Sequence, residues 1–153
     1  MTNEQFVRHI SDAKGSMYRV AKAILKNDED CADAIGEAIL RAFDKLDTLK
    51  QEKYFKTWLT RILINECYKL LRNRQEEVSY EEYMEKGEDI TMHSEVFEAL
   101  MKLEDGYRVP FVLYYVEGYS TKEIAQMLKI SVSNVKTRLS RARVKLQGIL
   151  KGE

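Results

Sequence analysis

From Phe6 to Leu25 the apolar residues are Phe6, Val7, Ile10, Ala13, Met17, Val20, Ala21, Ile24 and Leu25. Steps of three and four put them on one face of a helix that turns every 3.6 residues. The period returns at Ala32, Ile35, Ile39, Ala42, Phe43 and Leu46, and again at Phe55, Trp58, Leu59, Ile62, Leu63 and Leu70. It returns once more at Val135, Leu139, Ala142 and Leu146. With one proline and seven glycines in 153 residues, little interrupts it. The expected fold is all-α.

A chain of this length makes one ordinary domain or two small ones. Charge along the sequence favours two. The whole is neutral, with 25 basic and 25 acidic residues, yet the charges are segregated. Residues 54–74 carry five basic groups against one acidic, 75–105 carry eleven acidic against two basic, and 129–151 carry seven basic and no acidic group. The stretch QEEVSYEEYMEKGEDITM, 75–92, has no clear apolar period and contains Gly87. It reads as an acidic, flexible linker over 75–93 between domains at 1–74 and 94–153.

Several classes of function find no support. The longest apolar run, Val109 to Val116, is far too short to span a bilayer, and the N-terminal residues lack the apolar core of a secretory signal. Cys31 and Cys67 lie far apart among helical apolar positions and read as reduced thiols of a cytoplasmic protein. The only histidines are His9 and His93, too few and too scattered to build a metal centre. No nucleophile–base pair or phosphate loop stands out, so neither an enzyme nor a cofactor is expected.

In the first half, the helical period runs through Gly15, which is a weak point where the helix could break, and ends at 27–30, where Asn27 or Asp28 can cap a second helix running to about Leu46. Asp30, Asp33, Glu37, Arg41 and Asp44 are expected to face away from its core side. A third helix, from about Tyr54 to Asn73, has a second stripe beside its apolar arc: Tyr54, Arg61, Asn65, Tyr68 and Arg72. Arginines can hold phosphates, rings can stack on bases, and an amide can bond a base edge, a combination suited to single-stranded nucleic acid. Taken alone, the stripe reads rather as the polar, snorkelling surface of a solvated helix.

In the second half, Ser94 to Leu103 and Tyr107 to Val116 read as helices, with Pro110 expected near the start of the latter or at a bend in it. In YSTKEIAQML, 119–128, Ser120 and Glu123 form a capping box, with Tyr119 and Ile124 placed as a hydrophobic staple. Ile130 packs the turn, and Ser131 caps the next helix. The apolar back of that helix opposes Thr137, Ser140, Arg141 and Val144, with Lys136, Arg138, Arg143 and Lys145 flanking. This is a helix-turn-helix whose second helix fits a major groove. Lys and Arg can pair with guanine there, and the flanking bases can hold phosphates. The turn of such motifs usually has Gly where this chain has Lys129; a left-handed lysine is strained by about 1–2 kcal/mol, so the turn is expected to differ slightly.

DAIGEAILRAFDKLDTL, 33–49, followed by YFKTWLTRILINECYKLLRNR, 54–74, resembles domain 2 of bacterial RNA polymerase sigma factors of the extracytoplasmic-function group. LEDGYRVPFVLYYVEGYSTKEIAQMLKISVSNVKTRLSRARVKL, 103–146, resembles domain 4 of the same group. The resemblance implies a transcription initiation factor that binds core RNA polymerase and selects promoters. Its helix at 33–46 would dock on the clamp helices through Asp33, Glu37, Leu40 and Arg41, although Gly36 departs from the usual glutamine. The helix at 54–74, with Tyr54, Arg61, Asn65, Tyr68 and Arg72, and the loop at 47–53 would take the minus-ten element as a single strand, with a flipped base in the loop. The helix at 132–146 would read the minus-thirty-five duplex through Lys136, Thr137 and Arg141, beside Arg138, Ser140, Arg143 and Lys145. The helices at 107–128 would grip the polymerase flap. An anti-sigma factor is an implied partner; insertion into a membrane is not. A free-standing operator-binding regulator and a protein-interaction module remain the rival readings.

Overall fold

The computed structural model describes residues 1–77 and 95–152. Among them there are seven α-helices and no strand. The chain divides into two compact units, Met1–Asp89 and Ile90–Glu153.

Among its described residues the first unit holds three α-helices: α1 (Asn3–Leu25), α2 (Asp28–Asp44) and α3 (Phe55–Glu77). Thr2 and Gln5 form a capping box that starts α1, which then runs unbroken through Gly15. Phe6, Ala13, Met17, Val20, Ala21 and Ile24 are buried, so packing on both sides of Gly15 holds one helix. Val7, expected inside, is 64% exposed. Lys26 ends the helix in a left-handed conformation, φ 72°. Asn27 caps α2 by accepting the Asp30 N–H at 2.8 Å.

The core face of α2 differs from the expected one. Its buried residues are Asp30, Cys31, Ala34, Ala38 and Ala42, whereas Ala32 and Phe43 are exposed and Ile35 and Ile39 half-buried. Small side chains let α2 lie close against its neighbours, and that close approach outweighs the larger area of the isoleucines. Asp30, expected to face away, is fully buried: it accepts from Arg74 at 2.9 Å and from the Asn27 amide at 2.8 Å. The helix ends at Asp44, and the link to α3 contains two 3-10 turns, Leu46–Thr48 and Glu52–Tyr54. In α3, Phe55, Leu59, Leu63, Ile64 and Cys67 are buried, along with the polar Thr60. The helix runs to Glu77, past the expected domain boundary at 74; the rest of the acidic linker lies outside the described residues.

The second unit holds α4 (Glu95–Met101), α5 (Asp105–Phe111), α6 (Thr121–Leu128) and α7 (Val132–Leu150). Leu103, Val109, Leu113, Ile124, Met127, Val135, Leu139, Ala142 and Leu146 are buried. The long α7 packs on α4, α5 and α6. Pro110 lies inside α5, five residues beyond its first residue. A π-helical turn, Val112–Val116, follows directly, with the Glu117 N–H bonded to the Val112 carbonyl at 3.0 Å. The bend expected at the proline is thus a change of helix type. Arg108 is fully buried and donates to the Leu103 carbonyl at 2.6 Å and to Asp105, which ties the turn between α4 and α5.

Candidate nucleic-acid interface

The second unit builds its site from capping chemistry. The Ser120 hydroxyl accepts the Glu123 N–H at 3.1 Å and the Glu123 carboxylate accepts the Ser120 N–H at 2.9 Å, so both expected bonds of the box form. Tyr119 and Ile124 are both buried, as a staple requires. Lys129 closes α6 in the left-handed region, φ 59° and ψ 44°. Contrary to expectation, the turn does not change to spare the lysine. The N–H groups of Lys129 and Ile130 both meet the Ala125 carbonyl, which holds the left-handed residue in place. Ser131 then accepts the Asn134 N–H at 3.0 Å and starts α7.

On α7, Val135, Leu139, Ala142 and Leu146 turn inward. Lys136, Thr137, Ser140 and Arg141 are exposed, and Val144 is 68% exposed between them and the C-terminal end. The flanking bases are held from the side. Arg143 donates to the Tyr115 hydroxyl at 2.7 Å. Lys145 lies 5.3 Å above the Tyr107 ring and 3.8 Å from Glu104. Arg138 donates to the Asn134 side chain at 2.9 Å and to the Gly106 carbonyl at 3.3 Å. Thr137 and Arg141 line a shallow groove with Glu104, Gly106, Tyr107, Asn134 and Arg138.

In the first unit, Arg61, Asn65 and Arg72 are exposed along α3, Tyr68 is half-buried among them, and Tyr54 stands 54% exposed at the entrance to the helix. The stripe expected from the sequence therefore lies on the outer face. The loop before it is braced at two points that sequence reasoning missed. Trp58 donates to the Thr48 hydroxyl at 3.2 Å, and the His9 Nε2 lies 2.8 Å from Glu52. Leu49, Lys50 and Gln51 span the gap between these braces. The His9 ring stacks on Phe55, with centroids 4.8 Å apart, and Phe6 meets both Phe43 and Phe55 edge-on. No local pattern announces such pairs, because His9 and Glu52 are 43 residues apart.

Asp33 and Glu37 stand on the outer side of α2 and line a groove with Glu66, Lys69, Leu70 and Asn73 of α3. Leu40, beside them, is 62% exposed. Arg41 is paired with Glu66 at 3.2 Å. Gly36 is exposed, and a Cβ there would meet nothing within 4 Å. Burial pushes the Cys31 thiol up to about 12, and burial also raises Cys67. Both remain protonated and weakly nucleophilic at neutral pH. Among the described residues, no group of three or more His, Cys, Asp or Glu side chains could hold a metal ion, and no helix is long and apolar enough to cross a membrane.

A capped short helix, a tight turn and a capped basic helix define the second unit as a DNA-binding helix-turn-helix domain. The sequence model described as Sigma-70 region 2 matches residues 10–77, and that described as Sigma-70, region 4 matches residues 93–146. RNA polymerase sigma factor SigV of Bacillus subtilis is 30% identical over 146 residues, which cover 92% of this chain and 88% of that protein. The chain belongs to the sigma-70 family of RNA polymerase sigma factors, in its extracytoplasmic-function group. Among solved structures, CnrH in complex with the cytosolic domain of CnrY is 26% identical with a TM-score of 0.73, over 99% of this chain and 91% of that one. The sigma factor RpoE in complex with the anti-sigma factor NepR, from Bartonella quintana, shares the fold with a TM-score of 0.79 at 22% identity, over 97% of this chain and 98% of that one.

Proposed function

We propose that this protein binds bacterial core RNA polymerase and directs it to promoters, as a non-catalytic initiation factor working in the cytoplasm without a cofactor. The first unit takes the minus-ten element as a single strand. Arg61 and Arg72 hold its backbone, Tyr54 and Tyr68 stack on bases, and Asn65 bonds a base edge. The second unit reads the minus-thirty-five duplex through Lys136, Thr137, Ser140 and Arg141, while Arg143 and Lys145 lie toward the phosphates. Asp33, Glu37, Leu40 and Arg41 meet the polymerase clamp, and the helices of 107–128 meet its flap. An anti-sigma factor holds the protein in check.

The observation that carries this reading is the presence in one chain of two different nucleic-acid faces. One is an aromatic and basic stripe on α3; the other is a hydroxyl-bearing basic front on α7. An operator-binding regulator needs only the second. The overall neutrality of the chain also suits a factor delivered by its polymerase, since affinity for DNA at large grows with every phosphate neutralised.

The test is size-exclusion chromatography of the purified protein with bacterial core RNA polymerase at moderate salt. A stoichiometric complex is expected. A folded protein that elutes apart from the polymerase, with no antagonist present, would replace this reading with that of a free-standing regulator.

A further inference from the structure

Pro110 has no N–H, so the bond that the Gly106 carbonyl would accept from the residue four positions on in a regular helix is missing. A polar group left without such a partner is costly where water cannot reach it. The guanidinium of Arg138 meets this carbonyl across the domain, 32 residues away, at 3.3 Å. The Nε of the same group donates to Asn134, one turn back on α7, at 2.9 Å. The planar fork of arginine is thus fixed at two atoms in two helices.

Residue 106 fits the arrangement. A Cβ there would lie 3.1 Å from the Arg138 Nη1, so the guanidinium would have to shift by a few tenths of an ångström from a position already fixed at two atoms. The absence of a side chain at 106 and the absence of an N–H at 110 both make room for one contact. That contact lies in the stretch of α7 that carries Thr137, Ser140 and Arg141. Arg138 is half-buried, unlike Lys136 and Arg141 on either side.

We infer that Arg138 is a positioning residue. It fixes the height and rotation of the recognition helix on α5 by closing the carbonyl that Pro110 leaves open, and it is not one of the groups that neutralise DNA phosphates. This rests on the promoter reading above and removes Arg138 from the set of DNA contacts expected from the sequence. Specificity in the second unit then depends on Gly106 and Pro110, which do not lie on the recognition helix.

Two readouts separate a positioning role from a phosphate contact. Each phosphate contact adds about 0.9 to the slope of log K against log salt, whereas misplacing the helix lowers discrimination between sequences. The holoenzyme, made from the full chain and core polymerase, is used to enrich a minus-thirty-five duplex from a randomised pool. Affinity for that duplex and for a scrambled version is then measured across a salt series. For Arg138→Ala the ratio of the two affinities is expected to fall about tenfold, the scale of one good base contact, with the salt slope unchanged. Gly106→Ala is expected to do the same with the charge of Arg138 still present. Adding Pro110→Ala to Arg138→Ala restores an N–H to the Gly106 carbonyl within α5 but no tie between the two helices, and is expected to leave the ratio low. If Arg138→Ala unfolds the domain, Arg138→Lys takes its place, because it keeps the charge but loses the fork.

A slope that falls by about one with the ratio intact would overturn the proposal and leave the promoter reading standing. So would wild-type behaviour of Gly106→Ala or of Arg138→Lys. Failure of the wild-type holoenzyme to enrich any duplex would overturn the promoter reading and this proposal with it.

Discussion

Asp30 and Arg74 are 44 residues apart in the chain and 2.9 Å apart in the fold, with Asp30 fully buried and Arg74 at the far end of α3. The pair joins the start of α2 to the last turns of α3. Arg74→Ala leaves a buried carboxylate without its counter-charge. The cost expected is about 2–3 kcal/mol, below that of a wholly buried pair because the Arg74 side chain is 20% exposed. Urea unfolding followed by Trp58, the single tryptophan and a residue of the first unit, measures it. In a double-mutant cycle with Asp30→Ala, strictly additive losses would show that the pair is not coupled.

Asp28 gives stability a defined dependence on pH. Burial acts to raise its pKa, but hydrogen bonds from Tyr18 and Lys22, together with the Lys22 charge, outweigh burial and hold it below the ordinary aspartate range. A carboxyl depressed in the folded state binds fewer protons there than in the unfolded chain. Its contribution is therefore complete above the unfolded pKa of about 4 and is lost as pH falls through the folded value. Tyr18→Phe should cost about 1 kcal/mol at pH 7, and the deficit should shrink in acid. An equal deficit at about pH 3 would assign the loss to packing instead.

Lys129 adopts φ 59° with no glycine to ease it. Lys129→Gly should stabilise the second unit by about 0.5–1 kcal/mol, the left-handed strain of lysine less the extra chain entropy of glycine. Calorimetry of the intact protein should show the transition of that unit moving up; no change would mean that bonds to the Ala125 carbonyl already absorb the strain.

Arg141 is exposed on the front of α7. Arg141→Ala should weaken binding to a minus-thirty-five duplex by about 1–3 kcal/mol and leave the affinity for core polymerase unchanged. A matching loss of polymerase affinity would make the side chain structural.

Asn65 stands one helical turn beyond Arg61 on the outer face of α3. Asn65→Ala should reduce binding of the holoenzyme to a single-stranded minus-ten oligonucleotide by about 1 kcal/mol. A scrambled strand should lose less. Equal losses on both strands would remove Asn65 from base recognition.

What the sequence discloses and what it hides divide along physical lines. The capping box of Ser120 and Glu123 and the cap at Ser131 were legible because each is complete within four residues. The outer stripe of α3 was legible because the inner face of that helix is strongly apolar. The inner face of α2 was not. Ranking by hydrophobicity selects Ile35, Ile39 and Phe43, while close helix packing selected Ala34 and Ala38; of the expected face only Ala42 is buried. Asp30 looked like surface because its partner comes 44 residues later. Arg138 looked like its basic neighbours because the proline that opens a carbonyl for it belongs to another helix. Charge and period identify a face; they do not say which charged group on that face is already engaged.

The alanine face of α2 has a mechanical consequence. Alanine has no side-chain torsion that can yield, so Ala34, Ala38 and Ala42 give the seam of α2 no spring. A displacement of α2 is therefore expected to carry α3 with it, since no rotamer change at Ala34, Ala38 or Ala42 can take it up.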